Sequence, residues 1–388
     1  MQPLATYRRD EFPVAEQHIY LNHASTGPLP RRSARAVQEL AEGQMLHGGL
    51  DFRRWLDAIA GLRQAAATLI NGTPEEIAVT SNTSQGLSFI ANGFDWRPGD
   101  VVVGVSDEFP ANYFPWARLD KRGVQPRWVP LRDGRIDLDE LDRACQGARL
   151  LAVSYVQYVS GFRLDLDAAG EICRRHGCRF VVDAIQGLGP FPIDVQRSGI
   201  HALSSGGQKW LLSPEGTGFL YVNQELLPEV DIVEHGWTNV AKFPEYSKDP
   251  ALRPDAGRFE GGTLNAFGCA ALRASIELLL EVGVDRLSEQ VDRLAERLIA
   301  GAQAKGYAPV AARDRASGSG IVSLQKPGLD APALARRLLD ERIVVIPRFG
   351  NLRVSPHSPS QHRRRDRPPR LAAALASHVA PTLALPAK

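Results

Sequence analysis

The sequence predicts an α/β fold with a mainly parallel sheet and a smaller α+β domain at its C-terminal end, and three observations support this prediction. Between residues 60 and 225, short apolar runs bounded by Gly, Pro and Asp alternate with helix-like stretches, which is the pattern of a parallel sheet covered by helices. From Ala266 onward, long amphipathic patterns replace the short runs. A length of 388 residues also exceeds what one hydrophobic core normally supports, so we expect two domains.

The first domain is predicted to contain five strands and the helices between them. The apolar runs that predict strands are Ile77–Thr80, Val101–Val105, Leu150–Tyr155, Phe180–Val182 and Gly218–Val222. Helices are expected over Asp137–Cys145 and Asp165–His176, because apolar residues recur there at helical spacing. Both segments open with acidic residues, which suit the first turn of a helix.

The second domain is predicted to combine helices and strands. Apolar residues at steps of three and four predict a long amphipathic helix through Val284, Leu287, Val291, Leu294 and Leu298. A Gly/Ser-rich turn at Ser317–Gly320 precedes a predicted strand at Ile321–Leu324, and Ile343–Ile346 predicts another strand.

Composition and charge favour an ordinary globular protein. Hydrophobic residues make up 44% and charged residues 23% of the chain, and the net charge is +2, so no nucleic-acid or membrane partner is expected. The basic run at 362–370 is interpreted as a solvated loop, since no aromatic residue interleaves its charges. Neither a signal peptide nor a membrane-spanning run is evident, which favours a cytoplasmic location.

The four cysteines are too few for a disulfide framework. Cys173 and Cys178 have His176 between them, but this spacing fits no familiar zinc pattern. We interpret both as helix packing residues, and no metal site is expected.

Two polar segments follow predicted strands. Thr83 and Ser84 come after the strand at Ile77–Thr80 and precede a helical pattern, so their hydroxyls and the helix start could bind a phosphate. Helix capping explains the same residues equally well. Asp183 ends the apolar run at Phe180–Val182, at the edge of the sheet where ligands bind in α/β proteins. Its carboxylate could keep a pyridine nitrogen protonated, or it could cap the next segment.

A third segment surrounds Lys209 with small and apolar residues, in the run Gly206-Gly207-Gln208-Lys209-Trp210. Glycines allow close approach to a ligand, and a partly desolvated lysine is nucleophilic towards carbonyls. A surface lysine is the alternative interpretation.

The order and spacing of these segments are more specific than any one of them. The hydroxyl pair, Asp183 twenty-six residues before Lys209, and Gly261–Thr263 together resemble the class V aminotransferases, which are pyridoxal 5′-phosphate (PLP) enzymes of fold type I. The resemblance covers residues 18–357. It is strongest for isopenicillin N epimerase-like, selenocysteine lyase-like and cysteine desulfurase-like members, judged from the segments 20–30 and 107–116.

The resemblance implies a fold and a division of the chain. The fold is a large domain with a mainly parallel seven-stranded sheet and a smaller α+β C-terminal domain. The implied boundaries are 18–283 for the PLP-binding domain and 284–388 for the small domain. Residues 1–17 would join the small domain and the active site.

The resemblance also implies the residues that surround the cofactor ring. Lys209 would carry PLP as a Schiff base and move the Cα proton of the substrate. Asp183 would pair with the pyridine nitrogen, Gln186 would donate a hydrogen bond to the ring hydroxyl, and Phe109 would stack on the ring.

The phosphate group would be held by Thr83, Ser84 and Gln208, together with Thr263 of the partner subunit. The last assignment implies a homodimer.

For the substrate, the resemblance implies a carboxylate clamp and a pocket. Asn22 and His23 match the segment that closes over the site. Arg353 matches the arginine that binds the amino-acid carboxylate, a task suited to a guanidinium, and Arg348 is a weaker candidate. Trp237 is expected to line the pocket, although core packing would explain it too.

The sequence also departs from the family pattern. Cysteine desulfurases need a reactive cysteine shortly before the carboxylate-binding arginine, and the segment Arg348–Arg353 has none; the nearest upstream cysteine is Cys269. Tyr158 replaces an asparagine common near the cofactor, and Gly206 replaces a phosphate-binding serine, for which Ser205 could compensate. The atypical segment 358–370 suggests a local frame disturbance, which resequencing of the gene would test.

These observations predict an enzyme that forms an external aldimine with an L-amino acid or a related amine. A β-lyase acting on C–S or C–Se bonds, without a persulfide-forming cysteine, is the preferred reaction, and aminotransferase and epimerase reactions stay open. An inert PLP-fold binding protein is the alternative from another class. A nucleotide-binding dehydrogenase is disfavoured, because no G-x-G-x-x-G follows the first strand.

Overall fold

The computed structural model describes residues 4–243, 245 and 248–357. The strands, in chain order, are β1 (Ile19–Tyr20), β2 (Ile77–Thr80), β3 (Val101–Val105), β4 (Gln125–Val129), β5 (Leu150–Ser154), β6 (Arg179–Asp183), β7 (Ala202–Gly206), β8 (Gly218–Val222), β9 (Ala308–Pro309), β10 (Val322–Gln325), β11 (Ile343–Val344), β12 (Ile346–Arg348) and β13 (Asn351–Val354). The helices are α1 (Leu4–Glu11), α2 (Val14–Gln17), α3 (Arg31–His47), α4 (Phe52–Ile70), α5 (Thr83–Gly93), α6 (Phe114–Ala117), α7 (Leu138–Cys145), α8 (Leu166–His176), α9 (Ala266–Val282), α10 (Val284–Gln303) and α11 (Ala331–Asp340).

The centre of the molecule is a seven-stranded sheet with the order β2-β8-β7-β6-β5-β3-β4. Strand β8 is antiparallel to its neighbours β2 and β7, and the other adjacent strands are parallel. Strands β3, β5 and β8 are buried along their whole length, as expected for a sheet with both faces covered. The predicted α/β fold with a mainly parallel sheet is confirmed.

The five predicted strands are present, and two further strands complete the sheet. Strand β4 lies at the edge, alternates in exposure and contains Pro126, so it lacks the continuous apolar run of a central strand. Strand β7, Ala-Leu-Ser-Ser-Gly, is buried but has no β-branched or aromatic residue. Its strand conformation comes from pairing with β6 and β8 rather than from local propensity.

Polar side chains fix the start of three helices that surround the sheet. Asp137 and Asp165 are the N-cap residues of α7 and α8, and each carboxylate accepts two backbone N–H groups of the first turn. Asn82 caps α5 in the same way, with its Oδ1 accepting from the N–H of Gln85 at 3.0 Å. This cap defines the position of Thr83, the first residue of α5.

The C-terminal part contains α10, α11 and a four-stranded antiparallel sheet with the order β12-β13-β10-β9. The predicted strand at Ile343–Ile346 is divided, because β11 pairs instead with β1 in a separate parallel ladder. The predicted domain boundary falls at Gly283, which separates α9 from α10 with a φ of +88°. The division into domains stays a prediction.

The N-terminal residues reach both parts of the molecule. Tyr7 and Phe12 are buried in the core cluster that covers one face of the central sheet, and Glu11 pairs with Arg32 of α3 at 2.8 Å. The contact with the small domain is made by the following strand, β1. Among the described residues, no helix is both long and apolar enough to cross a bilayer. The basic run at 362–370 and the suggested frame disturbance at 358–370 lie outside the described residues.

Candidate active site

The site lies where three neighbouring strands of the central sheet end. In the sheet register, Asp183 of β6 lies beside Ser154 of β5 on one side and beside Ser204 of β7 on the other. Lys209 follows the end of β7 by three residues. Because parallel strands end at the same edge of a sheet, residues from distant parts of the sequence meet there.

Asp183 is a buried carboxylate at the end of β6. Its Oδ1 accepts a hydrogen bond of 3.0 Å from the backbone N–H of Ile185. Burial raises the pKa of Asp183 to about 6, while this hydrogen bond and the charge of Lys209 act in the opposite direction. The carboxylate is therefore mostly ionised at neutral pH, although its pKa lies closer to neutral than that of an exposed aspartate.

Lys209 is half-buried, and its Nζ lies 5.5 Å from the centre of the Phe109 ring. Burial lowers the pKa of Lys209 to about 8, and the negative charge of Asp183 opposes this change. The positive charges of Arg353 and Arg348 lower this pKa further. The amine is consequently neutral in an appreciable fraction of molecules near neutral pH, as a nucleophile towards a carbonyl must be.

Thr83 connects the start of α5 to the end of β7. Its buried Oγ1 accepts a hydrogen bond of 2.8 Å from the N–H of Gly206, and its carbonyl accepts from Ser204 Oγ at 3.1 Å. The Thr83 hydroxyl accepts this bond and keeps its own proton, which it could donate to an anion at the helix start. Ser84 is exposed beside it.

Gly206 stands where a phosphate-binding serine was expected, and the side chain of Gln208 lies beside it. A Cβ atom at Gly206 would lie 2.5 Å from Gln208 Oε1, so the glutamine amide fills the space that a serine side chain would take. Ser205 does not compensate in this structure. It lies on the opposite face of β7 from Ser204, where its hydroxyl donates to the carbonyl of Gly206 at 3.2 Å.

Gln186 is buried between the N-terminal segment and Trp210. Its Nε2 donates to the carbonyl of Ala24 at 3.1 Å, and its Oε1 accepts from Trp210 Nε1 at 2.9 Å. An amide nitrogen carries two N–H donors, and one of them is paired with a protein acceptor among the described residues. The other can still donate to a ring hydroxyl.

Arg353 of β13 is a buried cation, with 2% of its surface exposed. It donates to the carbonyl of Tyr158 at 3.1 Å and to Ser25 Oγ at 2.8 Å, while its Nε is buried without a hydrogen-bond partner in the described part of the chain. No carboxylate of the described residues pairs with it. Burial, and then the nearby charge of Arg348, lower the pKa of Arg353 to about 10. An unpaired donor on a buried guanidinium fits a carboxylate ligand.

The other predicted substrate residues differ in exposure. Arg348 of β12 and Trp237 are exposed, and the ring of Trp237 contacts Phe243 edge to face at 5.2 Å. Asn22 is half-buried, and its Oδ1 has no hydrogen-bond partner among the described residues. Thr263 is exposed on the surface of this chain, and its contact with a partner subunit stays a prediction.

His23 lies behind the site rather than in its opening. It is fully buried, it packs 5.8 Å from the ring of Trp210 and 5.2 Å from that of His357, and its Nδ1 donates to the carbonyl of Ser355 at 3.0 Å. Burial lowers its pKa to about 3, so the ring is neutral. A role in substrate binding would therefore operate through the residues that it packs against.

Glu108 is a buried carboxyl group that the sequence analysis did not identify. It accepts hydrogen bonds from the backbone N–H and the hydroxyl of Ser154 and from Gln157 Nε2. Burial raises the pKa of Glu108 to about 7, with a contribution from the negative charge of Asp183, and the hydrogen bonds oppose this rise. Glu108 directly precedes Phe109, the predicted ring-stacking residue. This position in the sequence was the signal that could have identified it.

The four cysteines are all buried, and none forms a disulfide. Burial raises the pKa of Cys269 in α9 to about 12. The neighbouring Cys173 raises the pKa of Cys145 to about 12, and that of Cys178 is also raised, chiefly by Cys145. Protonated, enclosed thiols are poor nucleophiles.

Comparisons with known proteins place this arrangement in a family. Residues 19–357 match the sequence profile described as aminotransferase class-V. The chain belongs to the class V aminotransferases. A probable cysteine desulfurase of Methanothermobacter thermautotrophicus is 32% identical over 297 residues, which cover 75% of this chain and 74% of the relative. The resemblance predicted from the sequence is confirmed, and this family member is a PLP-dependent enzyme.

Solved structures confirm the fold. The apo cysteine desulfurase from Thermococcus onnurineus NA1 has a TM-score of 0.87 and 24% identity, over 97% of this chain and 98% of the other. The cystine C–S lyase C-DES, in complex with its reaction product cysteine persulfide, has a TM-score of 0.85 and 24% identity, over 94% of this chain and 99% of the other.

The residues at the sheet edge fit PLP. A buried carboxylate suits a protonated pyridine nitrogen, a lysine of lowered pKa suits the aldehyde, and a hydroxyl at a helix start suits the phosphate. The unpaired donor of Arg353 leaves a place for the carboxylate of an amino acid.

Asp183→Asn is expected to stabilise the cofactor-free protein at neutral pH, because it removes a buried charge. Since the folded-state pKa of Asp183 lies at about 6, above its ordinary value of 3.8, the wild-type protein loses stability as the pH rises from 4 to 6. The variant should therefore equal the wild type near pH 4 and exceed it above pH 6 by about 1–3 kcal/mol. Urea unfolding of the apoprotein at several pH values measures this difference.

Asp194→Asn is the matched control. Burial acts to raise the pKa of Asp194, but hydrogen bonds led by the Arg197 N–H outweigh it and hold this pKa below its ordinary value. That variant should lose stability at neutral pH. An Asp183→Asn protein that is destabilised equally at pH 4 and pH 7 would contradict the analysis of the site.

Proposed function

We propose that Lys209 carries PLP and that the enzyme is a β-lyase, which breaks C–S or C–Se bonds of L-amino acids without a persulfide-forming cysteine. The observation that carries the proposal is the arrangement of Lys209 between buried Asp183 and buried Arg353, with no cysteine nearby in the sequence before Arg353. The relatives named as cysteine desulfurases belong to the same family, but the chemistry of this chain differs at the cysteine.

Asp183 tunes the electronics of the cofactor. When bound, PLP supplies an aldehyde that captures the substrate amine and a ring that accepts electrons released at Cα. A buried carboxylate beside the pyridine nitrogen favours the protonated ring, which is the stronger electron acceptor. Gln186 would fix the ring hydroxyl, and Phe109 would cover the ring face. Thr83, Ser84 and Gln208 would hold the phosphate.

Lys209 has two functions in this proposal. Its Nζ would hold the aldehyde carbon covalently in the resting enzyme. After the substrate amine has displaced it, the released amine would remove the Cα proton. A pKa of about 8 is close to neutral pH, where such a group can both accept and donate a proton efficiently.

Arg353 orients the substrate by binding its carboxylate. The two oxygens of a carboxylate match the planar guanidinium. The substrate carboxylate would supply the negative charge that no described residue pairs with Arg353. With the carboxylate at Arg353 and the amine near Lys209, the Cα–H bond is placed within reach of the lysine amine.

The absence of a reactive thiol determines where the sulfur goes. In β-elimination the Cα proton is removed, the Cβ–S bond breaks with its electron pair on sulfur, and the thiol leaves protonated. The remaining three-carbon unit hydrolyses to pyruvate and ammonia. No enzyme cysteine takes part, in agreement with the burial of all four cysteines. A cystine C–S lyase has the same fold.

Lys209→Ala tests the cofactor assignment. The wild-type protein is expected to show a visible absorption band that borohydride bleaches irreversibly, because reduction fixes the cofactor to the lysine. The variant should retain no covalently bound cofactor after borohydride treatment, and should lose at least about a thousandfold in kcat/KM. Lys121→Ala, which changes an exposed lysine, is the control and should match the wild type. Covalent labelling of Lys209→Ala would refute the assignment.

The reaction type is tested by product analysis with L-cystine, L-selenocysteine and S-substituted L-cysteines. S-Substituted L-cysteines should give pyruvate, ammonia and the thiol in equal amounts. L-Selenocysteine should give hydrogen selenide in place of the thiol, and L-cystine should give cysteine persulfide. The Cys269→Ala variant should be as active as the wild type, because this thiol is buried. Formation of a 2-oxo acid with retention of the side chain would establish transamination instead, and racemised substrate would establish epimerisation. A persulfide on one of the four enzyme cysteines after turnover of L-cysteine would contradict the proposed lyase.

We further propose that the enzyme is a homodimer in which Thr263 of the partner subunit completes the phosphate site. The end of α3, the start of α4 and the turn between them expose a group of large apolar side chains: Met45, Leu46, Leu50, Phe52 and Leu56. Exposed apolar clusters of this kind are typical of protein interfaces. This dimer hypothesis accounts for both the apolar cluster and the exposure of Thr263, and a cytoplasmic location stays a prediction.

Leu50→Asp tests the dimer, because it places a charge at the most exposed residue of this cluster, which is 87% exposed. Sedimentation analysis should show a dimer for the wild type and a monomer for the variant, which should also release PLP more readily. Leu339→Asp, on the exposed side of α11, is the matched control and should stay dimeric. A monomeric wild-type enzyme that retains PLP would contradict the dimer.

A further inference from the structure

Three aromatic rings form a continuous wall beside the site. The rings of Phe109 and Tyr158 contact edge to face at 5.3 Å, and those of Tyr158 and Phe349 do so at 6.0 Å. We call Phe109, Tyr158 and Phe349 the aromatic wall. Edge-to-face packing of this kind is attractive between rings, so the three side chains support one another while each leaves apolar surface exposed.

The aromatic wall connects the two groups that would hold the ends of an amino acid. At one end, Phe109 lies next to Lys209, with 5.5 Å between Nζ and the ring centre. In the middle, the carbonyl of Tyr158 accepts a hydrogen bond of 3.1 Å from Arg353. An amino acid with its amine at Lys209 and its carboxylate at Arg353 therefore has the wall as a neighbour for its side chain.

Phe349 occupies an unfavourable backbone position. It is the first residue of the two-residue turn between β12 and β13, with a φ of +48°, and Gly350 follows with a φ of +77°. Such turns favour Asn or Gly, and a bulky residue with positive φ is strained. Phe349 is also 70% exposed, so core packing does not explain it. Strain of this type is concentrated at functional positions.

We propose that the aromatic wall is the binding site for the substituent on the sulfur or selenium of the substrate, and that the enzyme prefers S-substituted L-cysteines with large apolar or aromatic substituents over free cysteine. This inference rests on the proposed function, in which the substrate amine lies at Lys209 and the substrate carboxylate binds Arg353. Apolar and aromatic groups gain by leaving water for such a surface, and sulfur makes favourable contacts with ring edges. For S-benzyl-L-cysteine, water is consumed and pyruvate, ammonia and benzyl thiol are released.

Binding of unreactive acids tests the wall without depending on catalysis. The compounds 3-(benzylthio)propanoate and 3-(methylthio)propanoate carry the carboxylate and the sulfur but no amine, so no reaction occurs. Calorimetric titration of the PLP-loaded enzyme should show that the benzyl compound binds about tenfold or more tightly. In Phe349→Ala this ratio should fall to about twofold or less, while the affinity for the methyl compound should change little.

Two further variants distinguish a role of Phe349 in binding the substituent from a purely structural role. Phe349→Asn should raise the melting temperature, since Asn tolerates positive φ, and should also abolish the preference for the benzyl compound. Phe114→Ala, which truncates another exposed phenylalanine, should keep the wild-type ratio.

The outcomes distinguish this inference from the proposed function. Equal affinities of the two compounds for the wild type would overturn the wall, even if Lys209 carries PLP and β-elimination occurs. A Phe349→Ala enzyme that loses its dimeric state but keeps the tenfold ratio would overturn it too, because Phe349 would then belong to a subunit contact. A wild-type protein that does not retain PLP would refute the proposed function itself.

Discussion

The site depends on two opposite charges, Asp183 and Lys209, that are held close together and largely away from water. Burial acts to neutralise both groups, because it raises the pKa of Asp183 to about 6 and lowers the pKa of Lys209 to about 8. The attraction between the two charges opposes both changes. A range of pH therefore remains between these two pKa values in which both groups are charged. Neighbouring strands β6 and β7 create this pair, since Asp183 is the last residue of β6 and Lys209 follows the end of β7 by three residues. The central sheet therefore determines the protonation states on which the chemistry relies.

Positive charge predominates around this pair. Arg353 is buried without a carboxylate partner among the described residues, and Arg348 lies near enough to lower the pKa of both Lys209 and Arg353. Keeping an uncompensated cation buried costs stability in the free protein, so such a site is more stable when an anion binds. In the proposed function, the carboxylate of an amino acid would be that anion.

Spacing along the sequence was enough to predict most of the central sheet and the residues brought together at its edge, because strand ends fix where Asp183, Thr83 and Lys209 lie. It did not reveal Glu108, whose importance comes from burial beside Ser154 and from proximity to Asp183. It placed His23 in a segment that closes over the site, but it did not reveal that packing against Trp210 and His357 buries the ring. Strand β7 was missed for a similar reason, since tertiary pairing rather than residue type makes it a strand.

The short hairpin of β12 and β13 connects the proposed reaction with the proposed preference for substrate. Two residues, Phe349 and Gly350, join these strands, so no loop is present between Arg348 and Arg353 that could carry a cysteine into the site. The same turn directs an aromatic ring towards Tyr158. In the proposed function, the short connection would leave no cysteine that could accept sulfur and would supply apolar surface for a substituent that leaves with the sulfur. Both features support the proposal that an intact thiol is eliminated rather than sulfur transferred to the enzyme.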